Sequence, residues 1–257
     1  MTPTQEIVAY LDEILETATT PDYSNAVNGL QLANSGTVRK VAACVDFSTR
    51  SVTGAIEANA DLLLVHHGMF WQGIRPITGA SYKRIRLLID NDVAVYSSHL
   101  PLDKHREFGN NALLAERLGL DPTAGFAHYK TISIGVSGVA DVDTADIVER
   151  ARRFAKEQGG EVVTTEFPSE RKTHHWAICT GSGASAETLQ EASDLGVDTL
   201  IVGEGPHWTA VEARELGIVI IYAGHYATET LGVSALARHL GDRFKVEWTT
   251  IHAPTGL

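Results

Sequence analysis

The chain has 257 residues, 44% of them hydrophobic, and its 21 Lys and Arg residues against 32 Asp and Glu residues give a formal net charge of -11. A chain of this length can bury a full core in one or two domains without help from disulfides. The negative charge repels phosphate backbones and anionic lipid surfaces, so nucleic acid and membranes are poor candidates for partners.

The cysteine pattern and the first segment predict a cytoplasmic protein. Cys44 and Cys179 lie far apart, and each sits within an apolar segment, which favours reduced interior thiols over a disulfide framework. The segment from Thr4 to Leu15 is acidic and has a helical period, so it lacks the basic start and apolar middle of a secretion signal. No apolar run approaches the roughly 20 residues needed to span a bilayer.

Strand-like and helix-like segments alternate along the whole chain. In the first half, the pattern predicts strands at 41–47, 62–65 and 93–96 and helices at 52–60, 82–91 and 111–118. In the second half, it predicts strands at 132–139, 162–167, 176–180, 199–202, 218–222 and 244–251, with helices at 144–158, 186–195, 209–216 and 230–240. Such alternation is typical of an α/β fold with largely parallel central sheets.

The two halves of the chain echo each other. Cys44 begins a unit of strand, helix and strand that ends at Gly68, and Cys179 begins a unit of nearly the same length that ends at Gly205. Because α/β units resemble each other on physical grounds alone, the echo only modestly favours duplication over coincidence. It predicts two similar three-layer α/β domains, residues 1–125 and 126–257.

The segment 62–67 is a short apolar run that ends in two adjacent histidines, His66 and His67, followed at once by Gly68. A buried strand that ends in a pair of imidazoles is typical of a metal site. A single histidine at a strand end is more often a packing residue. The argument for metal therefore depends on further ligands.

Two more histidines are followed by an acid four residues later: His99 by Asp103, and His225 by Glu229. All the histidines of these pairs follow predicted strands, and ligands in open α/β sheets bind beyond the carboxyl ends of the strands. His225 is expected in a loop, with Glu229 near the start of the helix that follows. The common placement predicts that these residues meet His66 and one another between the two domains.

Neutral imidazoles and carboxylates together suit Zn, Mn, Fe or Ni better than Ca or Mg, which prefer shells made only of oxygen. One ion would leave some of these ligands unused. Two ions roughly 3.5 to 4 Å apart, bridged by a carboxylate, use them all and activate a water for hydrolysis. The sequence therefore predicts a dinuclear centre.

Glu204 and His207 follow the strand that mirrors the one before His66. They are either an acid or base of the site or ordinary loop and helix-capping residues, and the sequence leaves both alternatives open. The adjacent pair at 174–175 has no acid at a useful spacing, and we expect it on a strand surface. The remaining histidines are expected to be solvent or packing residues: His105, His128, His239 and His252.

At these positions the chain resembles the GTP cyclohydrolase 1 type 2 homologue family, also called the NIF-three-like dinuclear metal centre hexameric proteins. The resemblance spans the whole chain. The matching motifs are Asn28-Gly29-Leu30-Gln31, His66-His67-Gly68-Met69-Phe70-Trp71, His99-Leu100-Pro101-Leu102-Asp103, Gly109-Asn110-Asn111-Ala112 and Gly224-His225-Tyr226-Ala227-Thr228-Glu229. The chain lacks the large inserted domain of longer members, and its loop at 203–208 differs from the commoner versions.

The resemblance implies a two-domain α/β protein that assembles as a toroidal homohexamer, with metal centres that face an internal cavity. Carried over position by position, it implies five metal ligands, with a bridging role for the last: His66, His67, Asp103, His225 and Glu229. His99 matches the family pattern as an outer partner or an occasional ligand.

The resemblance also suggests opening of the GTP ring or, more broadly, metal-assisted hydrolysis. The leading hypothesis is a dinuclear metal hydrolase that acts on a nucleotide or a small phosphorylated molecule, with Glu204, His207 and His99 as candidate catalytic residues. A metal-handling or metal-insertion protein without turnover is one alternative, and a regulatory ring that binds partner proteins is another. The cations nearest in sequence that could contact a phosphate are Arg75, Lys83, Arg84, Lys104 and Arg106.

Overall fold

The computed structural model describes residues 1–257. In chain order, the first elements are β1 (Thr2–Pro3), α1 (Thr4–Ile14), β2 (Gly29–Leu32), β3 (Thr37–Val38), β4 (Lys40–Asp46), α2 (Thr49–Glu57), β5 (Leu62–His67), α3 (Gly79–Asp90), β6 (Ala94–Ser97), α4 (Leu100–Asp103) and α5 (Asn110–Leu118). The elements that follow are β7 (Ala124–Tyr129), β8 (Ile132–Asp143), α6 (Thr144–Glu157), β9 (Val163–Thr164), β10 (Lys172–Cys179), α7 (Ala186–Asp194), β11 (Thr199–Val202), α8 (His207–Glu215), β12 (Val219–Tyr222), α9 (His225–Phe244) and β13 (Glu247–Thr250). No helix has both the length and the apolar character needed to cross a membrane.

The chain forms two compact units, but their limits differ from the boundary expected near residue 126. The first unit comprises Met1–Leu102 and Gly232–Ala253, and the second comprises Asp103–Leu231 and Pro254–Leu257. The reason is the end of the chain: β13 pairs in parallel with β4 and so completes the sheet of the first unit. Hydrophobic patterns along the chain do not reveal that β13 pairs with β4, because the two strands are far apart in sequence.

The sheet of the first unit has the order β13-β4-β5-β6-β2. Its first four strands run parallel, and β2 pairs with β6 in the antiparallel direction. The carboxyl ends of β4, β5 and β6 therefore lie together at one edge. Asp46, His67 and Ser97 are the last residues of these three strands.

Helices cover both faces of this sheet. On one face, Leu63 and Val65 of β5 pack in a core with Val52 of α2 and Leu88 of α3. Their neighbours Leu62 and Leu64 point to the opposite face and are also fully buried. On that face the hydroxyl of Tyr96, which pairs with Leu64 across β5 and β6, donates a 2.8 Å hydrogen bond to Asp12 of α1.

The sheet of the second unit has the order β7-β8-β10-β11-β12-β9. Only its centre is parallel, since β10, β11 and β12 pair in parallel and the other three pairings are antiparallel. Trp176 and Ile201 pack on one face against Phe154 of α6. Leu200 packs on the other face against Leu189 of α7. Each unit is thus a three-layer α/β domain, as the sequence predicts.

The internal echo has a structural counterpart. Cys44 pairs with Val65 in the first sheet, and Cys179 pairs with Val202 in the second, so the two strand pairs share one register. The helix after each first strand begins with a capping box, formed by Ser48 and Ser51 before α2 and by Ser185 and Thr188 before α7.

This register sets the equivalences between the strand ends. His66 and His67 correspond to Gly203 and Glu204, because they follow Val65 and Val202. On the next strand, Ser97 and Tyr222 are the partners of those valines. His99 therefore corresponds to Gly224. His225, which follows Gly224, lies one residue beyond the structural equivalent of His99.

Two predicted elements differ clearly from the observed ones. The helix expected from Thr230 begins at His225, so His225 is a helical residue instead of a loop residue. Gly224, with φ +91, reverses the chain just before this helix, and its carbonyl already accepts a 3.0 Å hydrogen bond from the N–H of Thr228. The strand expected at 162–167 is only the two-residue edge strand β9.

Candidate metal centre

The strand β5 delivers two buried histidines to the carboxyl edge of the first sheet. His66 and His67 are its last residues and are 0% and 5% exposed. His99 follows β6, the neighbouring strand, and is also buried. One potential ligand atom from each of the three residues lies within 4.8 Å of the other two. The predicted meeting of these histidines is therefore present in the first unit.

The ring of His66 is fixed by the backbone of the adjacent strand end. Its Nδ1 lies 2.9 Å from the carbonyl oxygen of Ser98. A carbonyl only accepts, so Nδ1 carries the proton and donates it. In the neutral ring, the lone pair is then on Nε2, which is the atom that can ligate a metal.

His67 and His99 are held in the same way, but by carboxylates. Nδ1 of His67 lies 2.9 Å from Oδ1 of Asp46, and Nδ1 of His99 lies 2.9 Å from Oδ1 of Asp22. A carboxylate behind a histidine is the usual outer partner of a metal-ligating imidazole, because it fixes the tautomer and raises the basicity of the ring. Neither acid is marked by a local sequence pattern.

Burial by itself raises the pKa of Asp22. The hydrogen bond from His99 acts against this effect, together with hydrogen bonds from Asn28 and Tyr23, and they hold the pKa below its usual value. Asp22 is therefore ionised at neutral pH, in the form that accepts hydrogen bonds at both oxygens.

A side chain at Gly68, directly after His67, would collide with two polar side chains. A Cβ at Gly68 would lie 2.4 Å from the amide group of Gln31 and 2.6 Å from Oγ of Ser97. Gln31 uses that amide to accept a 2.6 Å hydrogen bond from the N–H of Met69. Gln31 of the motif at 28–31 thus holds the turn that follows the two histidines.

An aromatic ring lies against two of the histidines. The ring centroid of Trp71 lies 4.5 Å from that of His67 and 4.4 Å from that of His99. The backbone oxygen of Trp71 accepts a 2.5 Å hydrogen bond from Asn25, which fixes the backbone at this residue. Trp71 restricts the access of water to these imidazoles.

In the second unit, His225 and Glu229 lie one turn apart on α9. Nε2 of His225 is 3.2 Å from Oε2 of Glu229, which is 3% exposed. Burial lowers the pKa of His225, but the hydrogen bonds and negative charges of Glu229 and then Glu204 raise it to about 9.

Glu204 contacts the other nitrogen of the same ring. Its Oε1 lies 2.7 Å from Nδ1 of His225 and accepts a 3.2 Å hydrogen bond from the hydroxyl of Ser182. A Cβ at Gly181 would lie 2.2 Å from Oε1 of Glu229, so this position requires glycine to admit the carboxylate. Glu204 therefore orients His225 as Asp46 orients His67.

Asp103 begins the second unit and is 7% exposed. Nδ2 of Asn110 donates a 2.8 Å hydrogen bond to its Oδ1. Asn111 accepts a 2.8 Å hydrogen bond from the N–H of Thr180, which ties α5 to the end of β10. At Gly109, a Cβ would lie 2.2 Å from the carbonyl oxygen of His105, so the motif at 109–112 has a structural explanation.

Other predicted residues have different surroundings. His207 is exposed at the start of α8, and His174 is exposed on β10, with 66% of its side chain accessible. Nδ1 of His105 accepts hydrogen bonds from the N–H groups of Glu107 and Phe108, which is a local turn role. Among the cations, Arg84 lies over the ring of Phe47, 5.4 Å from its centroid.

The donor set fits a transition metal. Buried imidazoles with fixed Nδ1 protons and buried carboxylates are the ligands that Zn, Fe, Mn and Ni share. The buried histidines and glutamate could thus hold metal ions.

Known proteins match this chain over its full length. The family model of Duf34/NIF3 (NGG1p interacting factor 3) matches residues 2–255. A protein of Deinococcus radiodurans named GTP cyclohydrolase 1 type 2 homolog is 39% identical over 254 residues, which cover 98% of this chain and 94% of the relative.

Two solved structures are similar to this chain over its full length. Protein ybgI, described as of unknown function, is 32% identical with a TM-score of 0.88, and the match covers 100% of both chains. Protein TTHA1606 from Thermus thermophilus is 33% identical with a TM-score of 0.82, again over 100% of both chains. The chain belongs to the Duf34/NIF3 family.

Proposed function

We propose that this protein is a metal-dependent hydrolase whose centre holds two divalent transition ions, Zn, Fe, Mn or Ni. The observation that carries the proposal is the cluster of three buried histidines at one sheet edge, each with Nδ1 held by an oxygen acceptor. A structural histidine needs only one such partner. Three buried imidazoles that each offer one ring nitrogen within 4.8 Å of the others form a donor set suited to a transition metal.

The proposed ligands are His66 and His67 from the first unit and Asp103, His225 and Glu229 from the second. Their joining in one centre is part of the proposal and comes from the family resemblance. A carboxylate whose Oε2 already lies 3.2 Å from a ligand imidazole, as in Glu229, is suited to the bridging role. His99 serves beside His66 and His67 as an outer partner or a further ligand.

When bound, the ions would lower the pKa of water and so supply a nucleophile at neutral pH. Proton transfer and the exclusion of water are assigned to side chains of the protein. Glu204 holds Nδ1 of His225 with Oε1, and we assign its carboxylate the role of taking up or delivering a proton. Trp71 limits the access of water to His67 and His99. His207 is the weaker candidate for proton transfer because no hydrogen bond ties it to these residues.

The proposed substrate is a nucleotide or another small phosphorylated molecule. Support comes from relatives that are named GTP cyclohydrolase 1 type 2 homolog. A chain with a net charge of -11 needs local cations to bind a phosphate. Arg84 is the candidate in the first unit, because it lies over Phe47, whose N–H donates to the carbonyl of His67.

The resemblance further supports a cytoplasmic homohexamer as the proposed assembly. Light scattering on the purified protein should then give about six times the 27.7 kDa mass of one chain. A monomer or dimer at micromolar concentration would contradict this part of the proposal.

Metal analysis tests the centre itself. Native protein should contain close to two transition ions per chain, and His66→Ala and Glu229→Ala should each lose them and still give folded protein. His174→Ala is the matched control, since His174 is an exposed histidine away from the cluster. Metal retained in both ligand variants would overturn the assignment of the ligands.

A turnover assay tests the reaction. Metal-loaded protein is incubated with GTP and a panel of phosphate esters, and product formation is compared with that of Glu204→Gln. We expect metal-dependent turnover that falls by about 100-fold in the variant, as is typical for loss of a general acid or base. No turnover across the panel, together with rapid transfer of metal to an acceptor protein, would replace the hydrolase with a metal carrier.

A further inference from the structure

We propose that Asp22 is a positioning residue of the metal centre, which holds the His99 ring with its proton on Nδ1 and its lone pair on Nε2. The proposal rests on the proposed function, because it concerns the same histidine cluster. Asp22 touches neither a metal ligand of the proposed set nor a substrate atom. It acts through His99.

Asp22 makes four hydrogen bonds with its two oxygens. Oδ1 accepts from Nδ1 of His99 (2.9 Å) and from the N–H of Tyr23 (2.6 Å). Oδ2 accepts from Nδ2 of Asn28 (2.8 Å) and from the N–H of Leu100 (3.0 Å). A carboxylate that accepts at both oxygens from donors on separate segments has one orientation, and so has the imidazole that it contacts.

The same loop also fixes the backbone beneath the ring. Oδ1 of Asn28 accepts a 2.7 Å hydrogen bond from the N–H of His99. Asp22 binds the next N–H, that of Leu100, so two successive backbone groups and the ring itself are held by one loop. The backbone cannot move without breaking two hydrogen bonds, and the imidazole cannot turn without breaking its bond to Asp22.

The pair of His67 and Asp46 shows what is special about Asp22. Both pairs have a 2.9 Å distance from Nδ1 to Oδ1, but the side chain of Asp46 is 35% exposed and that of Asp22 is 6% exposed. Water can replace Asp46 behind His67. No water can easily replace Asp22, whose remaining acceptor positions are taken by Asn28, Tyr23 and Leu100.

Only a carboxylate satisfies this site. All four partners of Asp22 are donors, and an amide offers just one oxygen. In Asp22→Asn, the NH2 group would face two donors whichever way the amide is turned. If it faces His99, the ring must present its Nδ1 lone pair, and the proton moves to Nε2.

The experiment measures the tautomer of His99 and the affinity for Zn²⁺ in native protein, Asp22→Ala and Asp46→Ala. Long-range ¹H–¹⁵N spectra of metal-free protein report which ring nitrogen carries the proton, and competition with a chelator reports the affinity. Asp61→Ala is the matched control: Asp61 is another multiply bonded carboxylate, but it lies at the amino end of β5. If Asp22→Ala does not fold, Asp22→Asn takes its place.

We expect native His99 to be protonated on Nδ1 and the Asp22 variant to show a substantial fraction protonated on Nε2. Zn²⁺ affinity should fall by about 10- to 100-fold, the range seen for outer partners of metal-ligating histidines, and by less in Asp46→Ala. The control should change neither quantity. An unchanged tautomer, or Zn²⁺ affinity within twofold of native, would overturn the proposal.

The two proposals can fail separately. If native protein binds no Zn²⁺, the proposed function fails, and the tautomer of His99 in metal-free protein still decides the role of Asp22. If native protein binds Zn²⁺ and the Asp22 variant matches it in both measurements, only the positioning role fails.

Discussion

In each unit, an aspartate at the amino end of a central strand accepts two backbone hydrogen bonds from the neighbouring strand. Oδ2 of Asp61, just before β5, accepts hydrogen bonds from the N–H groups of Arg39 (2.7 Å) and Lys40 (3.0 Å). Oδ2 of Asp198, just before β11, accepts from two successive N–H groups of β10, at 174 (2.8 Å) and 175 (2.9 Å). Both acids tie the start of one strand to its neighbour.

The carboxyl ends of the same strands have different chemistry. His66 corresponds to Gly203, where a Cβ would lie 2.5 Å from the carbonyl oxygen of Gly181. His67 corresponds to Glu204, so an imidazole in one unit is matched by a carboxylate in the other. The two units are thus alike at the amino ends of these strands, where side chains only hold strands together. They differ at the carboxyl ends, where side chains could meet a ligand.

The largest effect on stability should come from filling the space at Gly203. Gly203→Ala forces a Cβ against the backbone of Gly181 and Oγ1 of Thr228, neither of which can move freely. We expect a loss of about 3 kcal/mol in the free energy of unfolding, measured in urea. Gly196→Ala is the control, because its φ is +68 and nothing lies within 4 Å of the new Cβ.

The control should lose about 1 to 2 kcal/mol from backbone strain alone. Equal losses for the two alanine variants would mean that the close approach at Gly203 is unimportant, and that the contrast with His66 has another cause.

A second test asks whether Asp61 and Asp198 stabilise their units equally. Asp61→Ala and Asp198→Ala each leave two backbone N–H groups without their acceptor. Each should lower the free energy of unfolding by about 2 kcal/mol, because both lost hydrogen bonds have a charged acceptor. Losses that differ by more than about 1 kcal/mol would show that the equivalence is one of geometry and not of energy.

The smallest effect should come from the capping boxes. Ser48→Ala and Ser185→Ala each remove the acceptor for the first turn of a helix, and we expect a loss of about 1 kcal/mol apiece. The caps lie in different units, so the double variant should lose the sum of the two to within about 0.5 kcal/mol. A double variant that loses much more than this sum would show that the two helices are coupled.

Much of the fold could be predicted from the sequence. The strand 199–202 matches β11 at both ends, and the apolar run before His66 is β5. These segments are predictable because they are fully buried, so almost every residue in them is apolar. The strand β7 was missed, since its residues AGFAHY have a weak pattern and owe their conformation to pairing with β8.

The candidate site could be predicted only in part. The histidines stand at strand ends, where the sequence pattern points to them directly. Asp22 is 77 residues from His99, and Asp46 is 21 residues from His67, so no local spacing links either acid to its ring. Such outer partners follow from the tertiary fold, which also explains the failure to see β13 join the first sheet.

The dinuclear centre is tested most directly by an anomalous difference map at the zinc edge from crystals grown with Zn²⁺. Two peaks per chain are expected, roughly 3.5 to 4 Å apart, with His66 and His67 among the ligands of the pair and Glu229 in contact with both ions. Absence of any peak beside His66 and His67, with zinc found only at exposed histidines such as His174, would contradict it.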